Sequence, residues 1–154
     1  MDIYNYIRQD HRNVAALMDE LLSINLSAVQ ERIFHKLRVE LSLHAEAEEQ
    51  TFYKALQDAS ERANVEDRIV HAREDHDEIR DLLTFLVNES IAGPRWMEKF
   101  GELKHAVEHH VKEEEVEIFA KARRLLSDED AKHLAREMAM VKQRIRVPEN
   151  EPTL

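Results

Sequence analysis

Two stretches of this chain set a histidine four residues ahead of a glutamate: His44 with Glu48 in HAEAEE, and His110 with Glu114 in HVKEEE. On an α-helix that spacing puts both side chains on one face, about one turn apart. Imidazole and carboxylate presented together are donors for iron, manganese or zinc. Two more histidines, His11 in RQDHRNV and His76 in REDHDEI, each follow an aspartate. The set of four imidazoles and two carboxylates suits two ions that share bridging carboxylates. The chain has no cysteine, which excludes thiolate nucleophiles, disulfides, iron-sulfur clusters and Cys-based zinc sites. No separate catalytic acid or base stands out.

Such donors need long helices to carry them, and the composition supplies these. Gly occurs twice and Pro three times among 154 residues, a length that suits one all-α domain with a single core. The first helix starts after Asp2 as N-cap and runs to about Leu22 through Ile3, Ile7, Val14, Met18 and Leu21. The second, with Ser27 as cap, runs to about Gln57 through Ile33, Leu37, Leu41, Phe52 and Ala55. The third starts near Asn64 and carries Ile69, Ala72, Ile79, Leu83 and Leu86 up to the break at Gly93-Pro94. The fourth runs from about Pro94, read as its first helical residue, to Leu126 through Phe100, Leu103, Val107, Ile118 and Leu125. Ser127 with three acidic residues behind it opens a shorter fifth helix that presents Leu134, Met138, Val141 and Ile145 and packs across the others. The domain therefore spans 1–146, and the tail 147–154 has too little to bury and is expected to be disordered.

Each of the four long apolar stripes is interrupted, and the interruptions are His11, His44 with Glu48, His76, and His110 with Glu114. A carboxylate facing an apolar core costs several kcal/mol unless it is paired or coordinated. No Lys or Arg shares the stripe with Glu48 or Glu114, so a multivalent cation is the natural counter-charge.

The halves of the chain also repeat. Asp10-His11 aligns with Asp75-His76, Val14 with Ile79, Leu17 with Leu82, and Phe34, Leu37 and Leu41 with Phe100, Leu103 and Val107. HAEAEEQTFY from His44 parallels HVKEEEVEIF from His110. Two helix hairpins of one design, related by a pseudo-two-fold axis, would each present one half-site.

With these motifs the sequence resembles the hemerythrin-like family, the HHE cation-binding domain, over roughly residues 1–146. The resemblance implies an up-down-up-down four-helix bundle. It implies His11, His44, His76 and His110 as iron ligands, with Glu48 and Glu114 bridging two irons joined by an oxo or hydroxo group. Oxygen-carrying members have HxxxH on the third helix and an Asp five residues after the last His; this chain has Ala72 and Glu115 at those places. Members with two HxxxE motifs are associated with iron or oxygen sensing and with peroxide or nitric oxide handling. The expected function is therefore a non-haem diiron protein that binds or reacts with O2, peroxide or nitric oxide. The alternative is an iron- or oxygen-responsive binding protein without turnover. Manganese and zinc are left open by the donor set itself.

Other polar residues are given lesser roles. His71 lies five residues before His76, about 140° around an ideal helix, and would reach the site only through a distortion. Glu49 and Glu115 either orient an imidazole or face solvent, and Tyr53 is read chiefly as a packing aromatic. His35, His105, His109 and His133 lie off the stripes and are read as solvated. Glu102 and His105 form one ExxH string of the ferritin-like kind, the weaker fold alternative. A formal net charge of -10 speaks against nucleic acid and anionic membranes as partners. No run is long enough to span a membrane, and the N-terminus lacks a leader pattern, so the expected location is cytoplasmic. The residues point to no protein partner.

Overall fold

The structure is a computed structural model that describes residues 1–59 and 63–147. Helix α1 spans Ile3–Leu22 and α2 spans Ser27–Glu48, the latter continuing through a π turn at Glu49–Tyr53 into α3, Lys54–Ala59. Helix α4 is Ala63–Asn88; α5 is Trp96–Glu113 and passes through a second π turn, Glu114–Ile118, into α6, Phe119–Leu125. Helix α7, Asp128–Arg144, follows. Among the described residues there is no strand. The architecture is the up-down-up-down four-helix bundle with a fifth helix, and α1 packs chiefly on α2 and α4 on α5. No described helix is long and apolar enough to cross a membrane. The expected tail falls, beyond residue 147, outside the described residues.

The helix starts show which local signals act. Asp2 caps α1 by accepting from the Asn5 N–H at 2.9 Å. Ser127 and Asp130 form a reciprocal capping box on α7. Ser27, expected as a cap, is already helical; Leu26 holds the capping position without a side-chain bond. Pro94 is not the first helical residue either. The Trp96 N–H bonds the Gly93 carbonyl at 3.3 Å, so Pro94 sits in a tight turn ahead of the helix.

The second and fourth helices are not the uninterrupted α-helices that the stripes suggest. A π turn holds one extra residue, so the apolar face beyond it shifts. In the first half the shift buries Tyr53 and Leu56 completely in place of Ala55, which is only partly covered. In the second half it buries Phe119 and Ala122 while Leu125 stays at the margin. At the first π turn the Thr51 hydroxyl donates to the Ala47 carbonyl at 2.7 Å, occupying an acceptor that the wider turn leaves free. The corresponding residue in the other half is Glu117, which pairs with Arg68 instead.

The interior is divided along its length. One apolar cluster gathers Ile3, Ile7, Phe52, Leu56, Ile69, Ile118 and Phe119, and is closed by Ala131, Leu134 and Met138 of α7. The other gathers Val14, Met18, Leu37, Leu83, Phe100 and Leu103 around Trp96, whose indole N–H bonds the Leu86 carbonyl at 3.0 Å. Each fully buried aliphatic or aromatic side chain in these clusters contributes roughly 1.5–3 kcal/mol relative to exposure. Between them lies a polar layer.

Candidate metal centre

The layer consists of His11 from α1, His44 and Glu48 from α2, His76 from α4, His110 from α5, and Glu114 at the start of the second π turn, all of them buried. All six residues singled out from the sequence therefore meet in one place. The imidazoles form two close pairs, one per hairpin: His11 with His44 at 5.0 Å between ring centroids, and His76 with His110 at 4.6 Å.

Donor atoms from His11, His44, Glu48 and Glu114 lie within 4.8 Å of one another, as do those from Glu48, His76 and His110, so Glu48 belongs to both groups. His11 Nε2 is 3.1 Å from Glu114 Oε1, His44 Nε2 is 3.4 Å from Glu48 Oε1, and His76 Nε2 is 3.2 Å from that same oxygen. Atoms bound to one ion at about 2.0–2.2 Å sit about 3.0–3.5 Å apart, so the observed separations suit a shared cation. His11 Nε2, His44 Nε2, Glu114 Oε1 and both Glu48 oxygens are buried without a hydrogen bond. Left so, each would cost the protein its desolvation, about 1–3 kcal/mol or more where charged. A cation removes that cost, and the residues present fit one.

Outer carboxylates hold every ring by its other nitrogen. The Nδ1 atoms of His11, His44 and His76 meet Glu115, Asp10 and Glu49 at 2.6, 2.7 and 2.6 Å, and His110 Nδ1 meets Asp75 at 3.3 Å. A carboxylate that accepts the Nδ1–H fixes the tautomer and leaves the Nε2 lone pair facing inward. Glu49 and Glu115 are thus orienting residues, and they act across the hairpins: Glu49 of the first half on His76, Glu115 of the second on His11. Asp10 is itself held by Lys142 of α7 at 2.6 Å, a contact that sequence spacing does not announce. Asp10→Ala is expected to weaken cation binding by about 10–100-fold, as loss of such outer partners does. Competition against a calibrated chelator measures this.

Tyr53 does more than pack. Its hydroxyl donates to Glu114 Oε2 at 2.5 Å and lies 3.4 Å from His110 Nε2, while its ring stacks on His76. Burial, together with the Glu114 and Glu48 charges, raises its pKa well above the ordinary phenol value and keeps the proton on the oxygen. His71 is half exposed and does not enter the cage; it faces Glu113 and Asp75. His105, His109 and His133 are exposed, and His35 is partly covered beside Arg38.

The electrostatics of the cage favour positive charge. Burial pulls His44 down, but the Glu48 charge and the bond to Asp10 override it and push the pKa up to about 10. Against burial, Glu48 and Glu49 lift His76 to about 8. Glu48 is raised by burial yet held well below the usual carboxylate range by His44 and His76. For the two raised imidazoles the stabilisation is complete below their ordinary 6.5 and is lost as pH rises through 8 and then 10. For Glu48 it is present above the ordinary 4.5 and lost on acidification. Chelator-treated protein should therefore unfold at lower urea as pH rises above 6.5. Over the same range cation affinity should rise, because fewer protons compete for the imidazoles.

A family model described as the Hemerythrin HHE cation binding domain matches residues 2–122. The chain belongs to the hemerythrin HHE family. Cation binding is what membership in this family implies, and the matched region contains all six inward-facing donors. The HHE chain is also 28% identical over 145 residues to a DNA nickase of Nostoc sp., a match that takes in 94% of this chain and 40% of that protein. It thus spans well under half of the curated relative's length. A crystal structure of a hemerythrin HHE cation binding domain-containing protein from Mycobacterium kansasii superimposes with a TM-score of 0.81 at 21% identity, covering 94% of this chain and 86% of that one. That likeness shows the fold. The ferritin-like alternative is set aside with it, since Glu102 and His105 point to solvent.

Proposed function

We propose that His11, His44, Glu48, His76, His110 and Glu114 hold two iron ions, with Glu48 and Glu114 as shared carboxylates, and that O2, peroxide or nitric oxide binds or reacts there. The observation that supports this most is the convergence of buried, hydrogen-bond-free donors on Glu48, around which the described residues place no Lys or Arg. Iron so held supplies a redox couple and a position for a small ligand. The protein's own part is to fix four imidazoles by outer carboxylates, to exclude bulk water with the two apolar clusters, and to keep a proton on Tyr53 beside Glu114. Imidazole and carboxylate donors also accept manganese and zinc. Iron is favoured by the family.

Metal analysis together with an absorption spectrum tests the reading. Two irons per chain with oxo-to-iron charge-transfer bands after aerobic loading are expected; stoichiometric zinc with no such bands would sink it. Consumption of peroxide or nitric oxide that disappears in His44→Ala and Glu114→Ala would mark an enzyme. Strong metal-dependent stabilisation with negligible turnover would mark a sensor.

DNA nicking is left with the longer relative. Two-metal centres do cleave phosphodiesters, but none of the six donors here is more than 7% exposed, so a duplex cannot reach them. The net charge of -10 opposes its approach as well.

A further inference from the structure

We propose that His71, His109 and Glu113 form a surface site for a divalent cation at the mouth of a cleft leading to the buried centre, and that ions load through it. The loading role rests on the two-ion reading above. His71 Nε2 lies 3.2 Å from Glu113 Oε2, and His109 Nε2 lies 3.2 Å from Glu113 Oε1. The three residues offer donor atoms within 4.8 Å of one another. His109 and Glu113 repeat the His-xxx-Glu spacing one residue ahead of His110 and Glu114. The rotation of about 100° per residue carries this second pair from the interior to the rim of α5, where His71 of α4 meets it.

A cleft between these helices connects the rim with the interior. Beneath His71 comes Asp75, 3.8 Å away, and Asp75 in turn reaches His110 at 3.3 Å. Glu113 lies at the outside of the cleft and Glu114 at the inside, and the space between is about 10 Å³, close to the room one water needs. Glu114 is fully buried and lines this space on its inner side, with its hydrogen-bond-free Oε1 lying 3.1 Å from His11 Nε2 within the cage. Carboxylates and imidazoles thus succeed one another from solvent to the cage, and Arg68, which also lines the space, has its charge matched by Glu117.

The repeat sharpens the inference, because the other half is built shut. The residues at the positions of His71, His109 and Glu113 there are Tyr6, Leu43 and Ala47. Ala47 belongs to the apolar cluster that Met138 of α7 closes, partly buried Tyr6 packs against it, and Lys142 covers the Tyr6 ring at 4.7 Å while holding Asp10. Surface His and Glu pairs occur elsewhere, as His133 with Glu137 at 3.4 Å. Among the described residues that pair gathers no third donor, and so serves as a control.

The test is Co²⁺ binding by calorimetry and rapid-mixing absorbance on the 154-residue wild-type chain, the double variant His71→Asn/His109→Asn, and His133→Asn. Wild type and His133→Asn are expected to take up two tight ions and a third, weaker one. The double variant should lose the weak ion, keep two tight ones at unchanged melting temperature, and load them about tenfold more slowly, because the ion loses two of its three ligands at the mouth, a change of the size that losing a metal-site partner brings. A double variant that retains the weak ion, or loads at the wild-type rate, overturns the proposal. Wild type that takes up only a weak ion, lost in the double variant, would keep the surface site, remove its loading role and sink the buried two-ion reading.

Discussion

Glu48→Ala is expected to empty both positions of the centre at once, whereas His11→Ala should remove one ion and leave the other. The difference follows from how the donors are shared. Glu48 Oε1 lies 3.4 Å from His44 Nε2 on one side, and 3.2 and 4.0 Å from the Nε2 atoms of His76 and His110 on the other. His11 belongs to the first group alone. Loss of an outer partner costs about 10–100-fold in affinity, and loss of a shared inner carboxylate should exceed that at each ion. Metal content after gel filtration reads the result, as near zero against near one ion per chain. Trp96 lies in the other apolar cluster, stacked on Phe100, so its fluorescence reports separately that the variant is folded. A folded Glu48→Ala protein that still carries two ions would refute the shared-carboxylate arrangement.

Removing the metal from the intact protein should have the second large effect, a drop in melting temperature. A ligand that binds only the folded state at a thousandfold excess over its Kd stabilises it by about 4 kcal/mol per site. A domain of this size shifts its midpoint by about 2–4 °C for each kcal/mol. Two ions then correspond to roughly 15–30 °C. The interior explains why the loss would not be confined to the site: the polar layer separates the two apolar clusters, so bound ions would join halves of the core that otherwise meet through histidine and glutamate. Calorimetry of chelated and reloaded protein measures the shift, and equal midpoints in the two states would show that the layer is held by protons alone.

Much of this was legible in the chain. Helical periodicity located the long helices, and the breaks in each stripe located His11, His44, Glu48, His76, His110 and Glu114, because a core position occupied by a polar residue is conspicuous against its apolar neighbours. Outer contacts were harder. Glu49 and Glu115 are visible as neighbours of Glu48 and Glu114, but whether they turn toward a histidine depends on the crossing of hairpins, which spacing within one helix does not encode. Lys142 on Asp10 joins residues 132 positions apart and had no local signal. The π turns were missed because they replace the 3.6-residue period over five residues only; Ala55 and Leu125 were placed on the stripe, where the structure buries Leu56, Phe119 and Ala122. For the same reason Tyr53, five residues after Glu48, reads from the sequence chiefly as a packing aromatic, with a phenol near the cluster as the lesser alternative. Comparison of the two halves raises the question, since one turn begins just after Glu48 and the other at Glu114.

Those turns also govern how this chain tolerates changes in length. Along an ordinary helix, one added or deleted residue turns everything beyond it by about 100° and carries the apolar face out of the core. Within 49–53 and 114–118 the backbone already holds a residue more than α geometry would, so a single deletion among 50–52 or 116–118, clear of Glu49, Glu114 and Glu115, can be taken up by tightening the turn. Helices α3 and α6 would then keep their seats, while a deletion in the first window would draw Tyr53 from its place beside Glu114. Two short windows are thus where the bundle can drift in length while keeping its cage.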